Sequence, residues 1–375
     1  TLYDLTNTFF EGEAKANPQA KRGRSKEKRS DCPLVTLGLV LDGSGFPRKS
    51  QLFPGNASEP QTLQTMLQGL SGQPGSTVIL DAGIASEENI KYLIEHHYKY
   101  IVVSRKRKRD FDEDKATVIK DLPGQTVKAQ RVVVEETGEI ELYCHSELRE
   151  KKEQAMQDSF AEKYELALSS LHHGLSKKGN TKKYAKVLER IGRLNEKYAR
   201  AAQHYDVTVT ADEAQLNALS IEWKRVEKPN SQATHPGVYC LRSNLTDWDE
   251  ATLWRTYTML TDLESVFRSL KSELGLRPIY HHKEERVNGH IFITLIAYHL
   301  VQTLRVQLKA QGCHDSWQTI RRKVENQQRI TVSLQREDGK TIHLRKATKA
   351  DPQQSTLYNL LGISAQPGGI KRTLI

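Results

Sequence analysis

STVILDAGIASEENIKYLIEHHYKYIVVS, residues 76–104, is the stretch on which the fold turns. Val78, Ile79 and Leu80 form a short apolar run, Gly83 follows in a tight turn, and a helical pattern then leads to a second apolar run at Ile101, Val102 and Val103. This reads strand, turn, helix, strand. Ser86 is placed to cap the helix, and Glu87 and Glu88 lie where the helix dipole favours acids. Upstream, LVTLGLVLD and FPRKSQLFPG are β-like runs joined at DGSG, residues 42–45, which has hairpin composition. Gly43 and Gly45 lack the following helix that a phosphate-cradling loop needs, so they read as a turn. The opening TLYDLTNTFF sets Leu2, Asp4, Thr6 and Thr8 against Tyr3, Leu5 and Phe9, compatible with a strand. SEPQTLQTMLQGL, 58–70, predicts an amphipathic helix begun by Ser58. Antiparallel strands followed by a β-α-β unit predict an α/β fold with a mixed sheet flanked by helices.

The middle of the chain differs. QRVVVEETGEIELYCHS predicts a hairpin turning at Thr137 and Gly138. Two charged helices follow, over 147–173 and 181–205, whose faces read as solvated. Strand-like runs return at LSIEWKRVEK and GVYCLRSN. Residues 105–245 therefore read as a β-rich plus helical domain inserted between 1–104 and 246–310, with 311–375 as a C-terminal region. From Asp247 the pattern is helical: Leu260, Leu263, Phe267, Leu270 and Leu274 make a core stripe. Tyr257, Thr261, Glu264, Arg268 and Lys271 form a second row beside it.

Composition narrows the classes of function. With 375 residues, two or three subdomains are expected. A net charge of +10 and a pI near 9.2 suit a polyanionic partner. The four cysteines are far apart with no CxxC pair, which suggests neither a zinc ribbon nor a secreted disulfide framework and fits a reducing cytosol. No signal-peptide pattern opens the chain, and the longest apolar run, IFITLIAYHLV (291–301), is shorter than the roughly 20 residues of a membrane span, so no membrane partner is expected. His282, Arg286 and His290 recur at four-residue steps, but without an HExxH pattern they read as structural or DNA-contacting rather than zinc-binding.

Three acids stand out. Asp81 closes a buried-looking strand before a tight turn, where sites form in open α/β sheets, although an acid there also caps helices. Asp4 lies on a strand among apolar neighbours, costly for a charge unless it is paired or metal-bound. Glu264 alone reads as a helix-surface acid. Together, and in their surroundings, they resemble the DDE transposases of bacterial insertion sequences, in the branch with a Tyr-x2-Arg-x3-Glu-x6-Lys signature. YDLTNTFFEG, GLVLDGSGFPRKSQLFPGN, ILDAGIASEENI and YTMLTDLESVFRSLKSELGLRPIYHHKEERVNGHIFI carry the resemblance in order, with Tyr257, Glu264 and Lys271 at the signature spacing. It implies a ribonuclease H-like core and a catalytic, metal-binding triad of Asp4, Asp81 and Glu264. Two Mg²⁺ ions, with Mn²⁺ able to substitute, would serve phosphodiester hydrolysis at transposon ends and strand transfer into target DNA. Tyr257, Arg268 and Lys271 would contact DNA, as would Arg22 and Arg24 in the basic run KRGRSKEKR; SRKRKR, 104–109, is a second such run. Arg268 is also spaced to pair with Glu264, and Tyr257 to pack in the core.

The sequence departs from the signature at Leu260, where arginine is expected, and at Ala82, where relatives often carry a basic residue. Both leave open how the phosphates are handled and whether the ends pass through a hairpin. The family's end-recognition module normally precedes the first catalytic strand, so the chain reads as lacking it. The alternative to an active enzyme is a truncated remnant that only binds DNA. Double-stranded DNA, a homodimer on paired ends, and a bacterial cytoplasm with nucleoid association are the remaining expectations.

Overall fold

The computed structural model describes residues 1–68, 75–105, 111–226, 235–366 and 368–374. Lys106–Arg109 of the second basic run lie outside them. The chain opens with β1 (Leu2–Phe9), β2 (Leu34–Leu41) and β3 (Pro47–Pro54), then α1 (Thr62–Leu67), β4 (Thr77–Leu80), α2 (Glu87–Glu95) and β5 (Lys99–Val103). β6 (Thr117–Lys120), β7 (Val127–Val133), β8 (Ile140–Ser146), α3 (Glu147–Gly174), α4 (Tyr184–Lys197), α5 (Ala199–Ala202), β9 (Tyr205–Ala211), β10 (Ala218–Arg225) and β11 (Val238–Ser243) follow. The rest is α6 (Glu250–Thr258), α7 (Leu260–Ser272), α8 (Glu284–Ala310), α9 (Trp317–Val324), β12 (Arg329–Gln335), β13 (Thr341–Ala347), α10 (Pro352–Leu361) and β14 (Lys371–Leu374). Two units result: Thr1–Tyr98 with Thr258–Ile375, and Lys99–Tyr257.

In the first unit the strand order is β3-β2-β1-β4. β1 and β2 pair antiparallel from Leu2↔Leu41 to Phe9↔Leu34, β2 and β3 are antiparallel, and β4 runs parallel to β1. The mixed sheet that the sequence predicts is therefore present. β2 is buried along its whole length because both of its faces carry apolar residues. Tyr3 and Leu5 pack on one face of β1 with Leu63 and Met66 of α1 among the buried side chains, and the Tyr3 hydroxyl donates to Thr62 at 2.6 Å. The predicted helix at 58–70 is shorter than expected: Glu59–Gln61 form a 3-10 turn, and Ser58 makes no side-chain cap.

The second unit carries β5-β11-β8-β7-β6, with β7 and β8 forming the predicted hairpin. Its long helices are not merely solvated. Tyr164 and Leu168 of α3 and Val187 and Ile191 of α4 are buried against the β9–β10 hairpin through Tyr205 and Ile221. The second charged helix also ends sooner than its pattern suggests, since Tyr205 already begins a strand.

The helix carrying IFITLIAYHLV is longer than that run. α8 spans 27 residues, and by length and composition it is long and apolar enough to cross a membrane. Core helices meet the same criterion, and Val287, Ile291, Leu295, Tyr298, Val301 and Leu308 bury one face of α8. His282 precedes α8, so the His282, Arg286, His290 row is not one helical face.

Candidate functional site

Parallel pairing aligns Leu2 with Ile79 and Tyr3 with Leu80. The next residue on each chain segment is an acid, so Asp4 and Asp81 follow the last paired positions of β1 and β4, close enough for the charge of Asp81 to act on Asp4. The Oδ1 of Asp4 accepts from the Leu5 amide at 2.7 Å, and that of Asp81 from the Ala82 amide at 2.6 Å. Burial pushes the Asp4 carboxyl up to about 6; Lys26 and the Leu5 amide oppose this, while the like charges of Asp81 and Glu59 add to it.

The turn after Asp81 assigns the helix cap to another residue. The amides of Ile84 and Ala85 donate to the Asp81 carbonyl, and the N-cap of α2 is Ser86, whose hydroxyl accepts from Asn89 at 3.2 Å. Asp81 thus sits outside the helix, at the carboxyl end of β4.

The face of β1 that bears Asp4 also bears Leu2, Thr6 and Thr8. Leu2 lines a cavity with Ser265 and Val266 of α7, and the Thr8 hydroxyl donates to the Leu276 carbonyl just beyond α7 at 3.1 Å. Phe9 and Ile279 continue the contact through the backbone. The helix of Glu264 therefore runs along the Asp4 face. Leu263, Val266, Phe267 and Leu270 bury its inner side, leaving Glu264 and Arg268 exposed, with no ion pair between these two described residues.

Lys271 has a different setting from the one its spacing suggests. Its side chain is 11% exposed and its Nζ donates to Glu27 Oε1 at 2.6 Å, with Arg277 on the same oxygen. Burial lowers the Lys271 pKa against the pull of Glu27. The lysine fastens α7 to the basic run rather than reaching outward. Tyr257 belongs to α6 in the second unit, where its ring lies 6.2 Å from that of Tyr239. The apparent second row is broken between Thr258 and Leu260, so Tyr257 does not share a helix with Glu264.

The basic run itself is an ordered strap over β1. Asn7 Nδ2 donates to the Arg24 carbonyl, the Lys26 amide donates back to Asn7 Oδ1, and Lys26 Nζ donates to the Leu5 carbonyl at 2.6 Å. Arg22 and Arg24 remain exposed, Arg22 donating to the Ser30 carbonyl at 3.2 Å.

Two site residues escaped the sequence reading. Lys26 lies 3.6 Å from Glu59, and both charge the neighbourhood of Asp4. A β-carbon at residue 83 would collide with Glu59 Oε2, so Glu59 reaches the turn that holds Asp81, and glycine leaves it room. In the sequence Glu59 looks like an ordinary first-turn acid.

The donor set suits a hard cation. Asp4 is a carboxyl starved of positive charge, with two further acids near it and only one lysine to offset them. Among the described residues, however, no three His, Cys, Asp or Glu side chains are gathered closely enough to hold an ion together. The fit is to the Asp4–Asp81 pair, and Glu264 approaches by its helix alone.

The mixed sheet of the first unit thus sets Asp4 and Asp81 beside a basic strap. The transposase DDE domain matches residues 7–300, and the chain belongs to that family. Asp81 and Glu264 fall within the matched span; Asp4 lies three residues before it. Among solved structures, the piggyBac transposase in a synaptic complex with hairpin DNA aligns over 86% of this chain at 8% identity and a TM-score of 0.36. The chain spans 50% of the length of that transposase. No curated protein matches.

Proposed function

We propose that this chain is the catalytic part of a transposase that cleaves DNA at transposon ends and transfers the exposed strand into target DNA. The observation that carries this is the side-by-side placement of Asp4 and Asp81 on β1 and β4, with Asp4 held near 6 by burial and neighbouring acids. Asp4 and Asp81 would hold divalent cations, Mg²⁺ or Mn²⁺, with Glu264 as the third acid from α7. Cations there would neutralise charge on the scissile phosphate and favour an ionised oxygen nucleophile.

The chain's own residues supply the rest. Asp4, seated on a central strand, fixes the position of the pair, and Ser86 holds the turn that presents Asp81. Lys26 limits the mutual repulsion of Asp4 and Glu59. Arg24, Arg22 and Arg268 offer exposed cations to the DNA backbone, contacts that position a duplex without reading its sequence. Lys271 keeps α7 against the strap and so keeps Glu264 on the Asp4 face. Chemistry on two transposon ends calls for two such chains, which makes a homodimer on paired ends the working assembly.

The test is nicking of supercoiled DNA with Mg²⁺ or Mn²⁺, beside Asp81→Asn and Glu264→Gln. Loss of nicking in both variants with DNA binding retained supports the reading. An unaltered chain that binds DNA but nicks with neither metal would make it a DNA-binding remnant instead.

A further inference from the structure

Residues 311–375 hold eleven Lys and Arg against five Asp and Glu, and so carry six of the ten net positive charges of the chain. Most of this region's sheet is exposed: every residue of β12 and β14 is open to solvent, as are Arg345 and Lys346 on β13. The strand order is β12-β13-β14, both pairs antiparallel. The register matches Thr331 with Arg345 and Arg345 with Lys371, and matches Ser333 with His343 and His343 with Thr373.

Because side chains alternate along a strand, these residues share one face with Arg329. Each of them carries a hydrogen-bond donor, and none is an acid. On the opposite face Ile330, Val332, Leu334, Ile342 and Leu344 lie together with Lys346 and Arg372. The two faces are thus chemically distinct.

Directly opposed like charges destabilise an antiparallel pair, so Arg345 across from Lys371 is a local cost within the folded chain. An anion lying across the strands offsets that cost. Arg329 is aimed by its own bond to the Gly368 carbonyl at 3.0 Å, and the hydroxyl of Ser333 meets His343 Nδ1 at 2.7 Å beside it. Cations set in a fixed cross-strand row, with hydroxyl and imidazole donors alongside, suit successive phosphates of a nucleic acid backbone.

We infer that this face of β12-β13-β14 is a second DNA-binding surface, separate from the acid pair, which grips the phosphate backbone without regard to sequence. The inference rests on the proposed function for its choice of DNA as the polyanion. A grip of this kind suits flanking or target DNA, which a transposase must hold whatever its sequence.

The experiment uses the full chain and a duplex of arbitrary sequence, with binding followed by fluorescence anisotropy over a KCl series in EDTA. Each phosphate contact contributes about 0.9 to the slope of log K against log salt. The double variant Arg345→Ala/Lys371→Ala is expected to flatten the slope by about 1.8. Lys346→Ala/Arg372→Ala removes the same charge from the opposite face and is expected to leave the slope within about 0.5 of the unaltered chain. Lys371→Arg alone, which keeps the charge, should preserve the slope and shows that the strand tolerates substitution. Equal flattening by both double variants, or none by the first, overturns the inference. If the unaltered chain binds and nicks DNA while the slope ignores Arg345 and Lys371, only the second surface is wrong. If it neither binds nor nicks, the proposed function falls and this surface with it.

Discussion

Replacing a proposed catalytic acid should make this protein more stable, and the gain should depend on pH in a defined way. The Asp4 carboxyl has an ordinary value of 3.8 and is held at about 6 in the fold, first by burial and then by Asp81 and Glu59. The sign follows from proton counting. Between these two values the folded chain keeps a proton that the unfolded chain has released, so stability falls as pH rises through the window and levels off above about pH 7. At about 1.4 kcal/mol per pH unit, the ionised Asp4 costs about 3 kcal/mol at neutral pH. Asp4→Asn has nearly the same shape, can still accept from the Leu5 amide, and carries no charge. The difference between variant and parent should then be flat below about pH 4 and grow by about 3 kcal/mol by pH 7, whatever constant offset the amide introduces. Native-state hydrogen exchange of peptides covering β1 reads this directly, because it reports the opening of that strand without requiring the whole chain to unfold in one step. Slowing of about a hundredfold at pH 7, absent at pH 4, is the expected result. A difference that does not change with pH would refute the account of Asp4 as a buried, charge-crowded acid. Millimolar Mn²⁺ should protect β1 in the parent at pH 7 and leave Asp4→Asn unmoved.

Three further predictions concern the parts that hold the site. Glu27→Gln leaves Lys271 and Arg277 facing each other with no acid, and should cost about 3 to 5 kcal/mol in urea unfolding, whereas Arg277→Gln leaves the Lys271 pair intact and should cost clearly less. Gly83→Ala should displace the mobile end of Glu59, slowing metal-dependent nicking at least tenfold while changing stability by about 1 kcal/mol or less, as measured by thermal midpoint and nicking rate on one preparation. Ser86→Ala removes the cap of α2 and should cost about 1 kcal/mol, with Ser86→Asp recovering most of it.

What the sequence made legible, and what it hid, divides along the range of the forces involved. The β2–β3 hairpin, the β4 strand and the Ser86 cap are written in residues within a few positions of one another, so local pattern suffices. The proximity of Glu59 and Lys26 to Asp4 joins segments 55 and 22 residues away, and no local pattern announces it. The break between α6 and α7 is hidden for a different reason. The helical period runs on through Met259 with no glycine or proline to mark a stop, yet Leu253 belongs to the core of one unit and Leu263 to that of the other. The strands β12 to β14 are faint in the sequence because only Ile330, Val332 and Leu334 alternate there, with all of β12 and β14 exposed.

Lys271 shows how a family spacing and a physical role can part. Its position two turns beyond Glu264 invites a phosphate contact, yet a lysine only 11% exposed and already bonded to Glu27 has little charge left for a ligand. Its value to the site is mechanical. Glu27 belongs to the strap that Asn7 and Lys26 pin onto β1, and Lys271 pins α7 to that same strap, so one carboxylate couples the helix of Glu264 to the strand of Asp4. Lys271→Met, which keeps the stem and removes the charge, separates the two roles. A phosphate contact predicts weaker DNA binding with a flatter salt slope. The strut predicts an unchanged slope, slower nicking and faster exchange in the peptides of α7.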